Sequence, residues 1–381
     1  MRIALLLTSL GVGGAERQVL WLAHHLVLRG HVVRLFVLLP RGSEGLLGES
    51  GPVEFQVTFL GIRKRPWSAL RGLTRAAAEI RSFRPDLLHG HNFHGNLACR
   101  LLGLVCKVPV VSTIHNVYEG AWPRMLAYRF TDALSRRTIA VSEAAQDRYL
   151  RLRAIPAQKA EVISNGIKTT EFVPDAERRK AMRAAMGVTE RDFVWIAVGR
   201  LAPAKDYPNL LRAFALVQEA CVAAPLWMAG RPLIAQLWIV GAGDAAHELE
   251  LQVTARELEI ENQVRWLGAR RDVAALLDAA DAFVLASAWE GMPLALGEAM
   301  AMAKPVVATD VGGVREMAGE AAFLVAAKDS GALAKTMGRL MAFSDADKAR
   351  IGEVARVRIL ERFSMEAKAL EWEKIYRSVL N

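Results

Sequence analysis

Residues 2–8 form a strand candidate, apolar without a break from Ile3 to Leu7, and Val19, Leu22 and Leu26 recur at helical spacing across residues 15–29. Gly30 closes that helix, and a second apolar run covers 32–39. Apolar strand, amphipathic helix and apolar strand in succession, with Gly11, Gly13 and Gly14 at the first turn, predict a βαβ unit. Strand-like runs recur at 87–89, 108–114, 138–141 and 161–163, with helical segments between most of them. After Asn165-Gly166 the character changes. Residues 167–190 are polar, carry Pro174, and read as a linker and leading helix. A second alternation then begins, with strands expected at 193–198, 236–240, 264–267, 282–285, 306–308 and 322–325. Runs that are apolar throughout, rather than at every second position, belong to parallel sheets covered on both faces.

The expected fold is therefore α/β, with two doubly wound Rossmann-like domains facing across a deep cleft. The first spans 1–167 and the second 168–363. A final helix within 364–381 carries Trp372, Ile375 and Tyr376 and is expected to pack back on the first domain. In such sheets ligands sit at the carboxyl ends of the strands.

Charge narrows the partners. The 381 residues hold 49 Lys and Arg against 40 Asp and Glu, a net +9, which favours an anionic substrate or surface. The three cysteines, Cys99, Cys106 and Cys221, lack metal-ligand spacing and suit a reducing cytosol. No run of about 18 apolar residues predicts a membrane span. Met1-Arg2 and the apolar residues after them resemble a short signal peptide but pass straight into the glycine turn, so they read as a first strand.

Three segments carry candidate chemistry. Ser287-Ala288-Trp289-Glu290-Gly291-Met292-Pro293-Leu294 follows a buried strand and leads into Ala295-Leu296-Gly297-Glu298-Ala299-Met300. Pro293 suits a first helical turn, which leaves Glu290 in the loop and Glu298 about one turn into the helix. The backbone N–H groups of Met292 to Ala295 then form an anion- and oxygen-binding helix start. Carboxylates placed there suit sugar and ribose hydroxyls. Arg200 and Lys205 follow the end of the candidate strand 193–198 and suit a diphosphate. In Gly11-Val12-Gly13-Gly14-Ala15-Glu16-Arg17 the glycines let a ligand approach the backbone. By residue type alone each segment has a plainer alternative: surface carboxylates, surface cations, a structural turn.

Together these segments resemble the retaining glycosyltransferases of the GT-B fold, family GT4, over nearly the whole chain. Glu290 and Glu298 stand at that family's EX7E spacing, continued by Ala303-Lys304-Pro305-Val306-Val307-Ala308-Thr309 and Gly312-Gly313-Val314-Arg315-Glu316. The resemblance implies a hexosyltransferase that moves a sugar from a UDP- or GDP-linked donor to a saccharide or lipid-linked acceptor in cell-surface polysaccharide or glycolipid biosynthesis. It implies retention of anomeric configuration and no cofactor or metal. The implied catalytic residues are His115 and Glu290. Donor-binding roles fall to Gly13, Gly14, Arg200, Lys205, Arg265, Leu267, Glu290, Gly291, Met292, Pro293, Leu294 and Glu298. Lys168, where Asp commonly follows Asn165-Gly166-Ile167, and Asp206, where Gly or Asn is frequent, depart from the pattern.

Residues 62–84 carry Arg63, Lys64, Arg65, Arg71, Arg75, Arg81 and Arg84 against Glu79, with Trp67, Leu70, Leu73, Ala77 and Ile80 as an apolar stripe. A second basic and aromatic stretch runs from Trp122 to Arg137. Both suit peripheral contact with anionic lipid at the inner face of a membrane, by a cytoplasmic protein. A core-packed helix with a solvated basic face is the alternative. His89, His91 and His94 lack a further ligand to complete a zinc site and read as an acceptor-side loop. Asp345-Ala346-Asp347 reads as helix capping and solvation. A nucleotide-sugar epimerase, or a non-catalytic basic protein binding membrane or nucleic acid, is the competing reading. Stacked strand aromatics, a helix-turn-helix and zinc-finger spacing are all unconvincing in this sequence, and the glycine turn fits a dehydrogenase fingerprint poorly.

Overall fold

The computed structural model describes residues 1–11, 13–40, 55–63, 65–189, 191–223, 227–228, 231–232 and 234–381. Val12 and Lys64, both quoted above, lie outside them. The chain divides into two compact units: Met1–Gly166 with Met365–Asn381, and Ile167–Ser364. Each boundary falls one residue from its expected place. Ile167 pairs with Ser364 as an isolated bridge, its N–H donating to the Phe363 carbonyl at 2.7 Å, so both belong to the second unit.

The first unit holds a seven-stranded sheet: β1 (Arg2–Leu7), β2 (Val32–Val37), β3 (Gln56–Phe59), β4 (Leu87–His91), β5 (Val110–Ile114), β6 (Arg137–Ala140) and β7 (Ala160–Val162). Every pairing is parallel, in the order β3-β2-β1-β4-β5-β6-β7. Chain direction across the sheet reverses between β1 and β4, the switch point of a doubly wound fold. β1 is exposed only at Arg2, as its unbroken apolar run requires. β3 was not anticipated. It is an edge strand of four residues with mixed polarity, and its pattern gives little signal.

β4 runs two residues beyond the expected His89, and the next helix, Asn92–Cys106, starts at once. The three histidines thus do not form a loop. His89 and His91 are buried strand residues, and His94 lies in the helix. Gly90 permits this packing: a Cβ there would lie 2.8 Å from Cys99 Cβ and 3.0 Å from the Asn96 Cα.

The helix Met365–Leu380 packs on the helix Gly14–Leu28 of the same unit. Glu373 ties it there through Arg29 and through His31 Nε2 at 2.9 Å. Tyr376, fully buried, places its hydroxyl 2.8 Å from His89 Nδ1.

The second unit holds β8 (Asp192–Val198), a short antiparallel pair β9 (Trp227–Met228) and β10 (Arg231–Pro232), then β11 (Ile234–Val240), β12 (Val264–Gly268), β13 (Ala282–Leu285), β14 (Val306–Thr309) and β15 (Phe323–Val325). Its six-stranded parallel sheet has the order β12-β11-β8-β13-β14-β15, with the switch point between β8 and β13. Trp195, Phe214, Ile239, Val284 and Leu333 anchor its core. The whole chain is α/β, with two Rossmann-like parallel-sheet units.

Candidate functional site

At the carboxyl ends of β8, β13 and β14, around the switch point of the second unit, three loops are stitched together. The Ala288 N–H donates to the Ala204 carbonyl at 2.8 Å, and the Gly313 N–H to the Gly291 carbonyl at 2.9 Å. This brings Lys205 and Glu290 face to face, with Lys205 Nζ 2.5 Å from Glu290 Oε1. Ser287 Oγ donates to the same oxygen at 2.6 Å, while the Thr309 hydroxyl holds the Ser287 carbonyl at 2.7 Å. Both side chains of the ion pair are largely covered, at 20% and 11% exposure. Tyr207 donates to the Gly199 carbonyl at 2.9 Å, and burial together with the nearby Glu290 charge pushes its phenol up.

Arg200, two residues past β8, is exposed, and Glu298 is fully buried on the helix Leu294–Ala301. Pro293 precedes that helix as its cap residue, one position earlier than expected. Gly291, Met292, Pro293 and Leu294 are all buried in this turn. Asp206 adopts a left-handed φ of 46°, a conformation that Gly and Asn reach at least cost. Gly241 shows how tightly the strand ends meet: its φ is 145°, and a Cβ there would lie 2.0 Å from the Gly199 carbonyl oxygen.

A second polar cluster lies in the first unit, at the carboxyl ends of β4 and β5. His115, the first residue past β5, places Nε2 3.1 Å from His91 Nδ1. The His91 ring lies 3.9 Å from that of His89, which also contacts Thr113 Oγ1 at 2.6 Å. Burial pushes the His115 imidazole down to about 4. Burial, reinforced by neighbouring imidazoles, pushes His89 and His91 well below the ordinary histidine value. All three rings are therefore neutral hydrogen-bonding groups near neutral pH. Among the described residues, no three His, Cys, Asp or Glu side chains converge as a set of metal ligands.

The sequence pattern of glycosyl transferases group 1 matches residues 192–342, and that of glycosyltransferase family 4 matches 12–171, together more than half of the chain. The chain belongs to this glycosyltransferase family. The glycosyltransferase is 30% identical over 324 residues to alpha-maltose-1-phosphate synthase of Mycolicibacterium smegmatis, covering 77% of this chain and 79% of that one. It is 26% identical to the UDP-Gal:alpha-D-GlcNAc-diphosphoundecaprenol alpha-1,3-galactosyltransferase of Escherichia coli, a match over 60% of this chain and only 58% of that protein. The fold is that of GT-B glycosyltransferases. The crystal structure of Anabaena Alr3699/HepE in complex with UDP and glucose superposes with a TM-score of 0.85 at 22% identity, covering 99% of this chain and 100% of that one.

Within the glycosyltransferase, the second unit brings Lys205, Glu290 and the turn from Gly291 to Leu294 together around one pair of strand ends. Arg265 departs from this group. Its Nη1 donates to the Met186 carbonyl, and its guanidinium lies 5.9 Å from the Trp238 ring. Leu267 is half-buried, next to Gly268, whose carbonyl accepts from the Gly241 N–H at 2.8 Å. In the first unit, Gly13 caps the helix that begins at Gly14, after the switch-point strand β1. Asp345 and Asp347 lie in the first turn of a helix capped by Ser344, and Asp347 pairs with Arg350. Ser287, Tyr207 and Glu119 were not assigned roles from sequence, because only tertiary contact aims them at candidate residues.

Proposed function

We propose that this glycosyltransferase is a retaining, metal-independent hexosyltransferase that takes its sugar from a UDP- or GDP-linked donor. The acceptor is a saccharide or a lipid-linked saccharide, in cell-surface polysaccharide or glycolipid synthesis. One observation carries this reading: an ammonium and a carboxylate, Lys205 and Glu290, lie 2.5 Å apart at a sheet switch point. A nucleotide diphosphate sugar joins an anionic phosphate directly to a ring that bears hydroxyls, so it meets both groups at once. The relatives' substrates support the same chemistry. The E. coli relative is named for a UDP-galactose donor and a lipid-diphosphate acceptor, and the Anabaena protein was crystallised with UDP and glucose.

In this reading Arg200 and Lys205 hold the diphosphate, Glu290 holds sugar hydroxyls, and Glu298 holds the ribose. Gly291 to Leu294 offer backbone amides, Gly13 and Gly14 admit the ligand close to the backbone, and His115 meets the reacting sugar as a neutral imidazole. The anomeric carbon–oxygen bond breaks with its electron pair going to the diphosphate. The acceptor oxygen bonds to the same face of the ring, and its proton passes to the departing phosphate oxygen. Arg200 and Lys205 stabilise the charge that builds there, the role a metal ion takes elsewhere. The basic faces of the first unit would hold the enzyme at the cytoplasmic surface of a membrane, near a lipid-linked acceptor.

The test is a thermal-shift panel of UDP- and GDP-sugars, with and without EDTA, followed by proton NMR of the product linkage. Stabilisation by one nucleotide series, turnover that EDTA leaves intact and an anomer matching the donor's are expected. An inverted product would remove the retaining assignment, and loss of turnover in EDTA the metal-independent one.

A further inference from the structure

His115 is gripped from two sides. Its ring is fixed by His91. Its backbone N–H donates to Glu119 Oε1 at 3.2 Å. The other oxygen of Glu119 accepts the Tyr128 hydroxyl at 2.8 Å. That hydroxyl accepts from Asn96 Nδ2 at 3.0 Å, and Asn96 in turn bonds both the N–H and the carbonyl of Thr113 on β5. The hydrogen bonds thus run from β5 through Asn96, Tyr128 and Glu119 and return to the residue that follows β5. Arg124 closes the loop by donating to the Glu119 carbonyl at 2.6 Å. Gly120 makes room for it: at φ 115°, a Cβ there would lie 2.7 Å from Arg124 Cδ.

We propose that Glu119 is a positioning residue for His115 and acts in its ionised form, an assignment that rests on the reading that His115 meets the donor sugar. Both donors aim at carboxylate oxygens, and the ionised group accepts both. A protonated carboxyl carries its proton on one of those oxygens, which then accepts more weakly, so it holds the two donors less firmly.

The ionised form is held at a cost. Burial pushes Glu119 up to about 7, against the opposing pull of Tyr128, the His115 N–H, Tyr149 and Arg124. The groups facing it are Tyr128 and Arg124 from the helix Trp122–Thr131, Tyr149 and its neighbour Arg148 from Glu143–Arg151, and Asn96 and His94 from Asn92–Cys106. A carboxyl raised in the folded state favours folding below its ordinary range, and that contribution is lost as pH rises through about 7. Stability and activity therefore pull in opposite directions at this residue. A purely structural carboxylate would not show that conflict.

The experiment measures kcat against pH, with melting temperatures, for the wild type and for Glu119→Gln, Tyr128→Phe and His115→Ala, using the donor that the panel identifies. The wild-type rate should fall as pH drops through about 7. Glu119→Gln should lose about 10- to 100-fold in kcat at about pH 8, melt no lower than wild type there, and lack the acidic limb. Tyr128→Phe removes a bond that favours the ionised form, so the limb should move to higher pH while the alkaline rate holds. Wild-type rate and limb in Glu119→Gln, beside an inactive His115→Ala, would overturn the positioning role. So would an unmoved limb in Tyr128→Phe, or a rate in Glu119→Gln that falls only in step with melting. Full activity in His115→Ala would instead remove the reading of His115 itself.

Discussion

Glu290 receives two donors on one oxygen, Lys205 Nζ and Ser287 Oγ both meeting Oε1, while Oε2 has no hydrogen-bond donor among the described residues. That asymmetry leaves a carboxylate oxygen to accept from a ligand hydroxyl while its partner oxygen is locked. Glu290→Gln keeps the shape and removes the charge. We expect kcat to fall by about 10²- to 10³-fold. Free nucleoside diphosphate should bind as tightly as before or more so, because Lys205 loses its internal counter-charge. Titration calorimetry with UDP and GDP, beside a steady-state assay, separates the two effects, and near-normal turnover would remove Glu290 from the reacting centre. Lys205→Ala should behave differently, losing nucleotide affinity and leaving a mostly buried carboxylate unpaired. The placement of Lys205, Glu290 and the turn after Glu290 at strand ends was legible in the sequence, because they follow apolar strands directly. Arg265 stands apart from them, its guanidinium bonded to the Met186 carbonyl, a contact that spacing along the chain does not disclose. Sequence passed over Glu119, because a single acid among aromatic and basic residues has no pattern until Tyr128 and Asn96 are brought to it.

Among the elements, apolar runs identified the strands reliably wherever both faces are buried. They failed at β3, a four-residue edge, and at the end of β4, where Gly90 and His91 look polar but are sealed by the helix Asn92–Cys106. The C-terminal helix was legible from Trp372, Ile375 and Tyr376, but its attachment is as much ionic as apolar. Glu373 is 5% exposed and is held down to about 2, first by its hydrogen bond from Arg29 and then by that from His31. A carboxylate depressed in the folded state stabilises above its ordinary value and loses that contribution as pH falls toward the folded value. The helix should therefore loosen between about pH 4.5 and pH 2. Glu373→Gln should lower the melting temperature by roughly 2–4 °C at neutral pH and flatten the acid dependence across that window. Calorimetry from neutral to acid pH checks both, and an identical acid profile in the variant would show that the helix is held by its apolar face alone.

On the scale of the whole molecule, charge is distributed by face. The helices Pro66–Phe83, Asn92–Cys106 and Trp122–Thr131 lie side by side. Arg81 donates to the Val105 carbonyl at 3.1 Å and Arg100 to the Tyr128 carbonyl at 3.0 Å. Right-handed crossovers from β3 to β4 and from β4 to β5 put the first two on one face of the sheet. Glu79 is the one acid in these three helices, and it is tied to Arg34 at 2.6 Å. Trp67 and Phe130 are 78% and 79% exposed, Leu104 and Trp122 are exposed as well, and Arg71, Arg75 and Arg129 lie open to solvent among them. Exposed aromatic rings beside exposed guanidinium groups suit a bilayer interface, where rings enter the headgroup layer and cations meet anionic lipid. No helix among the described residues is long and apolar enough to cross a membrane. We expect co-sedimentation with vesicles of phosphatidylglycerol and phosphatidylcholine, little with phosphatidylcholine alone, and release as salt rises. Replacing Trp67 and Phe130 together by Ser leaves the charge unchanged and should still weaken binding by about tenfold or more. Equal binding to neutral vesicles would deny the basic face its part. Unchanged binding by the double variant would reduce the contact to charge alone and leave the exposed rings without a role at the membrane.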